Sequence, residues 1–174
     1  MKAVVALACG LMMLGAAEAG AATTSVTVSK IDESGVGASI GTLKLQVTKS
    51  GLKVTPRLTG LPPGEHGFHV HANPACGAAE QNGKLTAGMA AGGHFDPMQT
   101  GKHLGPKGEG HKGDLPVLVV DASGKATKAV IAPHLKVADV KGHAIVVHAG
   151  GDNYSDQPAP LGGGGARIAC GVAK

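Results

Sequence analysis

Apolar and polar residues alternate with period two along most of the chain. In "TTSVTVSK" Val26 and Val28 fall on one side. In "TLKLQVTK" Leu43, Leu45 and Val47 do the same, leaving Lys44 and Gln46 on the other. Successive side chains of an extended strand point to opposite faces, so each run predicts a half-buried strand. A Ser50-Gly51 turn separates the second run from "GLKVTPRLTG", and the pair predicts a hairpin. "GFHVHA" predicts a further short strand and "LPVLVVDASGKATKAVIAP" two strands around Ser123-Gly124. "KGHAIVVHAG" and "GARIACGV" supply the last two. Eight short strands with glycine-rich turns and no useful helical period predict an all-β sandwich or flattened barrel.

Two segments carry no strand pattern. Residues 73–114 are rich in Gly, His and Pro, and residues 149–165 read "AGGDNYSDQPAPLGGGG". Structureless loops of that length are uncommon in a compact domain unless they are functional. Something has to order them, and metal bonds or a cross-link are the candidates.

Composition narrows the picture. Aromatic residues are 2% of the chain, so Val, Ile, Leu and Ala must fill the core. The 29 glycines and 10 prolines approach the share that marks low complexity, but they lie between apolar runs and therefore read as turns. The formal charge is +4, with scattered lysines and no arginine-rich run, which argues against nucleic-acid binding.

The N-terminus "MKAVVALACGLMMLGAAEAG" has one lysine, an apolar run and then small residues, the layout of a secretory signal. Cleavage is expected after Ala19 or Ala22, giving a signal over 1–19 and a single domain over 20–174. One alternative is a membrane anchor, but the apolar run is shorter than the roughly 20 residues a bilayer span needs. The other is a lipoprotein cut before Cys9, which precedes most of that run. An exported chain without its signal keeps Cys76 and Cys170. An even pair in an oxidising compartment is expected to form a disulfide, the alternative being two free buried thiols.

The nine histidines point to chemistry through their spacing. His69 and His71 are i and i+2 on a strand, so both rings leave one face and can meet one ion, while Val70 turns to the core. Alone, such a pair reads more readily as two surface or hydrogen-bonded histidines. In "GGHFDPMQTGKHLGPKGEGHKGDLP", however, His94, His103, His111 and Asp114 fall in one loop, bordered by glycine or proline. Three imidazoles and a carboxylate make a closed set suited to structural zinc, whose binding would order the loop. A flexible histidine-bearing surface loop is the bland alternative. His148 closes the apolar strand "AIVVH" and can point at the same ion as His69 and His71. Imidazole-rich, partly open sites suit copper.

The segments "GFHVH", "GGHFDP", "GHKGDLP", "VVHAGGDNYSD" and "GGARIACGV" resemble, in order, the signatures of copper/zinc superoxide dismutase, most closely its exported bacterial branch. The resemblance spans nearly the whole chain after the signal. It implies an eight-stranded antiparallel Greek-key sandwich or flattened barrel of the Ig-like kind, with two long functional loops. It also implies one copper and one zinc per subunit. His69, His71, His94 and His148 would hold copper, and His94, His103, His111 and Asp114 zinc, with His94 bridging the two. Asp152 would link ligand imidazoles on the two metals, and Arg167 would bind the superoxide anion beside copper. Cys76–Cys170 would tie the first loop to the last strand. The implied reaction is dismutation of superoxide to dioxygen and hydrogen peroxide in the periplasm, without stable membrane association once the signal is cut. His66 and His143 read as structural and His134 as a surface residue. Steering of the anion would fall to Lys84, Lys102, Lys107 or Lys112. Nothing in the chain decides between a monomer and a homodimer. Two other classes compete: an exported copper/zinc buffer or chaperone, which would need no substrate arginine, and a metal-free Ig-like interaction domain, which gives no reason for the ligand spacing.

Overall fold

A computed structural model describes residues 23–174; the expected signal segment and both of its cleavage points lie outside the described residues. The strands are β1 (Thr23–Asp32), β2 (Gly35–Thr48), β3 (Gly51–Thr59), β4 (Gly64–His66), β5 (Phe68–His71), β6 (Ala79–Gln81), β7 (Lys84–Thr86), β8 (Leu118–Val120), β9 (Lys125–Ala126), β10 (Val130–Ala132), β11 (Ala144–His148) and β12 (Arg167–Val172). A single helical turn, α1 (Val137–Val140), precedes β11.

One curled antiparallel sheet runs in the order β10-β3-β2-β1-β12-β11-β5, with β9 beside β3; β4 pairs with β8. Chain order and spatial order part after β3. The chain leaves the β1–β2–β3 meander and lays β4 and β5 against β8 and β11, then returns to β3 through β9 and β10. That is the expected Greek-key route, and it curls the sheet into a flattened barrel.

The alternating runs explain the core. Val26, Val28, Leu43, Leu45, Leu52, Val54, Leu58, Phe68, Val70, Ile145 and Val147 are buried in one cluster with Leu115, Leu118 and Leu135. Fully burying each Val or Leu contributes about 1.5–3 kcal/mol against an exposed reference, which is how a core without tryptophan holds. Val47 departs from its expected face: at the end of the hairpin it is 37% exposed. The β2–β3 turn falls at Lys49 and Ser50, one residue before the expected position, with Thr48 opposite Gly51.

Three features were not signalled by the alternation. β2 begins at Gly35, directly after a two-residue turn, along a glycine-rich exposed stretch. β4 extends the "GFHVH" strand backwards to Gly64. Within the segment expected to hold no strand, β6 and β7 form a small hairpin around Asn82 and Gly83, with φ of 53° and 77°. Asn-Gly favours such a tight turn because both positions require positive φ.

Candidate metal centre

β5 supplies the frame. One edge pairs with β11, placing His69 opposite Val146 and His71 opposite Ala144. The other edge receives the long loop. Val70 donates its N–H to Gly113 O (2.8 Å), Phe95 to Val70 O (2.9 Å), Ala72 to Gly93 O (2.9 Å) and Leu115 to Phe68 O (3.2 Å). Two stretches of the loop thus dock like partial strands, with bridges His71–His94 and His69–Asp114. His148 ends β11 at a register shift and lies opposite Arg167, the first residue of β12. Irregularities of this kind re-aim a side chain at a strand end.

Four imidazoles converge: the ligand atoms of His69, His71, His94 and His148 lie within 4.8 Å of one another. His71 Nε2 and His148 Nε2 are 3.4 Å apart, close to what two nitrogens about 2.0–2.1 Å from one tetrahedral ion require. The outer nitrogens fix the tautomers. His71 Nδ1 donates to Gly92 O (2.9 Å) and His148 Nδ1 to Gly165 O (3.1 Å), leaving each Nε2 as a free lone pair.

The second cluster centres on Asp114. Its carboxylate lies 2.9 Å from His94 Nδ1, 2.9 Å from His103 Nδ1 and 3.6 Å from His111 Nδ1. The mutually closest group here is His69, His94, His103 and Asp114, with His69 in the place expected for His111. Chemistry separates proximity from ligation. His69 Nε2 is bonded to Asp152 Oδ2 at 2.7 Å, so its remaining lone pair, on Nδ1, belongs with the four-histidine cluster.

Asp152 joins the two clusters. Its Oδ1 takes His103 Nε2 at 2.8 Å and the Tyr154 N–H at 2.7 Å, while its Oδ2 takes His69. A carboxylate that orients two ligand rings fixes which nitrogen of each faces the ion. The nitrogens left without a hydrogen-bond partner are His69 Nδ1, His94 Nε2, His103 Nδ1 and His111 Nδ1, all buried. An unsatisfied buried polar atom costs about 1–3 kcal/mol, and cations in the two clusters would satisfy all four. His94 directs Nδ1 to Asp114 and Nε2 to the other cluster, so one ring faces both.

Burial holds His94 at about pKa 4 and His148 at about 3, and it lowers His69 and His71 as well. These rings are neutral at neutral pH, the state in which imidazole binds metal. At Asp114 burial is outweighed by the surrounding imidazoles of His103, His111 and His94, which keep the carboxyl far below the usual range. Asp152 is lowered in the same way by His103 and His69. Burial alone would lower His103, yet the Asp114 carboxylate 2.9 Å away and the hydrogen-bonded Asp152 raise it to about 9. His103 touches both carboxylates, so it holds the proton in the metal-free cluster.

A cavity of about 470 Å³ opens over His94, His148 and Arg167, with Glu33, Thr86, Met89 and Leu161 also in its wall. Arg167 donates to Gly88 O (2.7 Å) and Gly92 O (2.8 Å). Both carbonyls lie in the segment that Cys76 anchors, and Cys76 is disulfide-bonded to Cys170. These carbonyls and the other mouth-lining residues, Glu33, Thr86, Met89 and Leu161, carry no sequence signal.

The remaining histidines are structural or exposed. His66 bonds His148 O and Pro62 O, His143 bonds His71 O, and His134 is exposed. Lys84 lies 3.4 Å from Glu33 at the mouth, whereas Lys112 is tied to Asp139 away from it.

The profile of the copper/zinc superoxide dismutase family matches residues 39–173. The chain belongs to that family. It is 57% identical over 163 residues to superoxide dismutase [Cu-Zn] 2 of Salmonella typhimurium, covering 93% of this chain and 94% of that one. The solved copper/zinc superoxide dismutase of Brucella abortus superposes with a TM-score of 0.86 at 49% identity, covering 88% of this chain and all (100%) of that one. The solution structure of the monomeric enzyme from Salmonella enterica gives 0.79 at 56% identity, with the same coverage of 88% and 100%. The two adjoining clusters share His94, and Arg167 stands at the mouth over the first.

Proposed function

We propose that His69 Nδ1, His71 Nε2, His94 Nε2 and His148 Nε2 hold copper, and that His94 Nδ1, His103 Nδ1, His111 Nδ1 and Asp114 hold zinc. The observation that carries this is the pattern of buried nitrogens: each outer ring nitrogen of His69, His71, His103 and His148 is occupied, and the inner ones converge. The protein dismutes superoxide with these two metals as cofactors. Bound copper supplies the redox chemistry, alternating between Cu(II) and Cu(I), so that two superoxide anions and two protons give dioxygen and hydrogen peroxide.

The chain's own residues do the rest. Arg167 presents a permanently charged, planar donor to a small anion beside the first cluster, held in aim by two carbonyls. The position of His94 is fixed on its Nδ1 side, beside Asp114, so its Nε2 would hold a proton whenever that nitrogen is free of metal. Asp152 keeps His69 and His103 in the tautomers that point inward. Gly92 O accepts from both His71 and Arg167, coupling ring and anion site.

The periplasm is the proposed location, supported by the signal-like N-terminus and by the disulfide, a bond that oxidising compartments favour. Among the described residues no helix is long and apolar enough to cross a membrane. Every group of both clusters comes from one chain, so a homodimer is not needed to complete the site. The relative from Salmonella enterica, described as monomeric, supports a single chain as the working unit. The test is to load the oxidised mature protein with copper and zinc and to follow superoxide loss. A fully metallated sample without activity would leave a metal buffer as the better account.

A further inference from the structure

The centre has a second opening. On the Nδ1 side of His94 lies a cavity of about 400 Å³, bounded by Met98, Pro106, His111, Asp114, His134 and Leu135. It shares no lining residue with the mouth over His148 and Arg167. We propose that this cavity is the port through which the cation of the zinc position enters and leaves, while the copper position exchanges through the other mouth. The proposal rests on the ligand assignment given above.

Three observations carry it. First, an ion leaves a closed four-ligand set by losing one ligand at a time, and the ligand nearest solvent goes first. The side chains of His94, His103 and Asp114 are 1%, 0% and 0% exposed, whereas His111 is 9% exposed and lies in the cavity wall. Second, His111 Nδ1 is buried without a hydrogen-bond partner, so a ligand atom is available at the inner end. Third, the wall favours a cation. Asp114 and Glu109 line it, and the charge of Lys112, which also lines it, is drawn aside by Asp139 at 2.8 Å.

The rim offers residues whose replacement does not disturb the core. Met98 is 79% exposed and His134 is exposed. Gln81, at the copper-side mouth, is exposed as well. The experiment uses the fully loaded, oxidised protein. Exchange of bound zinc against isotopically labelled zinc, and of bound copper against labelled copper, is followed by intact-protein mass spectrometry. Met98→Trp and His134→Trp are each expected to slow zinc exchange severalfold and leave copper exchange unchanged, and Gln81→Trp to do the reverse. Zinc exchange at the parent rate in both rim variants, or equal slowing of both metals in any variant, overturns the port. Tight zinc retention by His111→Ala would overturn the ligand assignment instead, so the two failures are separable.

Discussion

Replacing Gly162 with alanine tests how far the centre depends on Asp152. Gly162 has φ of +73°, and a Cβ there would overlap Asp152 Oδ1 and lie 2.7 Å from its Cγ and 2.8 Å from His103 Nε2. Two costs follow. A left-handed backbone strains a residue bearing a Cβ by about 1–2 kcal/mol. Pushing Asp152 away weakens two bonds between ionised and polar groups, each worth about 1.5–3 kcal/mol. Gly162 is buried in a loop but lies outside the hydrophobic core, so the barrel itself is expected to survive. The loss should appear in metal retention, as a 10–100-fold weaker affinity, roughly the range for removing a group that orients a ligand. Competition with a chelator of known affinity, run separately for zinc and copper, measures it. Asp152→Ala and the double variant close the cycle: if Gly162 acts through Asp152, the double variant falls little below the worse single one. Parent-like affinity for both metals in Gly162→Ala, or fully additive losses, would refute the reasoning.

Other expectations are more direct. His148→Ala should abolish dismutation and copper retention while zinc stays bound, as measured by metal analysis. Arg167→Gln should keep both metals but lower the rate by about tenfold and flatten its dependence on ionic strength. Cys170→Ser opens a cross-link between residues 94 apart and should cost roughly 4–5 kcal/mol at most, seen as a lower unfolding midpoint. The metal-free protein should be most stable near pH 6.5. His94 and His148, at about 4 and 3 in the fold against 6.5 for the free side chain, make the unfolded chain bind more protons below that pH. His103, raised to about 9, contributes stability that is complete below pH 6.5 and is lost as pH rises through 9. Thermal unfolding at pH 4, 6.5 and 9.5 checks both limbs, and His103→Gln should remove the alkaline one.

The barrel was legible wherever one face is buried. Leu43, Leu45, Val70 and Val147 occupy the core because alternation commits them to it. Where both faces are polar the pattern is silent, and β6–β7 shows it: Glu80, Gln81 and Lys84 give no period, and only Asn82-Gly83 betrays the turn. Val47 shows the opposite limit, since a strand end outruns its partner layer. The proposed metal ligands were legible as residue types at spacings, and Asp152 and Arg167 only through family likeness. No spacing tells which nitrogen of His94 or His69 faces inward. That depends on Asp152, Gly92 and Gly165, brought in from distant parts of the chain. Main-chain acceptors such as Gly88 O carry no side-chain identity and are invisible until the backbone is folded.

The sulfur link has a bearing on when the protein becomes useful. β12 starts at the guanidinium and carries, three positions on, the half-cystine that clasps the segment whose carbonyls aim that guanidinium. A newly made copy with thiols still reduced would own every imidazole yet lack a taut anchor for its anion receptor. Oxidation of the two thiols would then act as a commissioning step, separating synthesis from readiness for work.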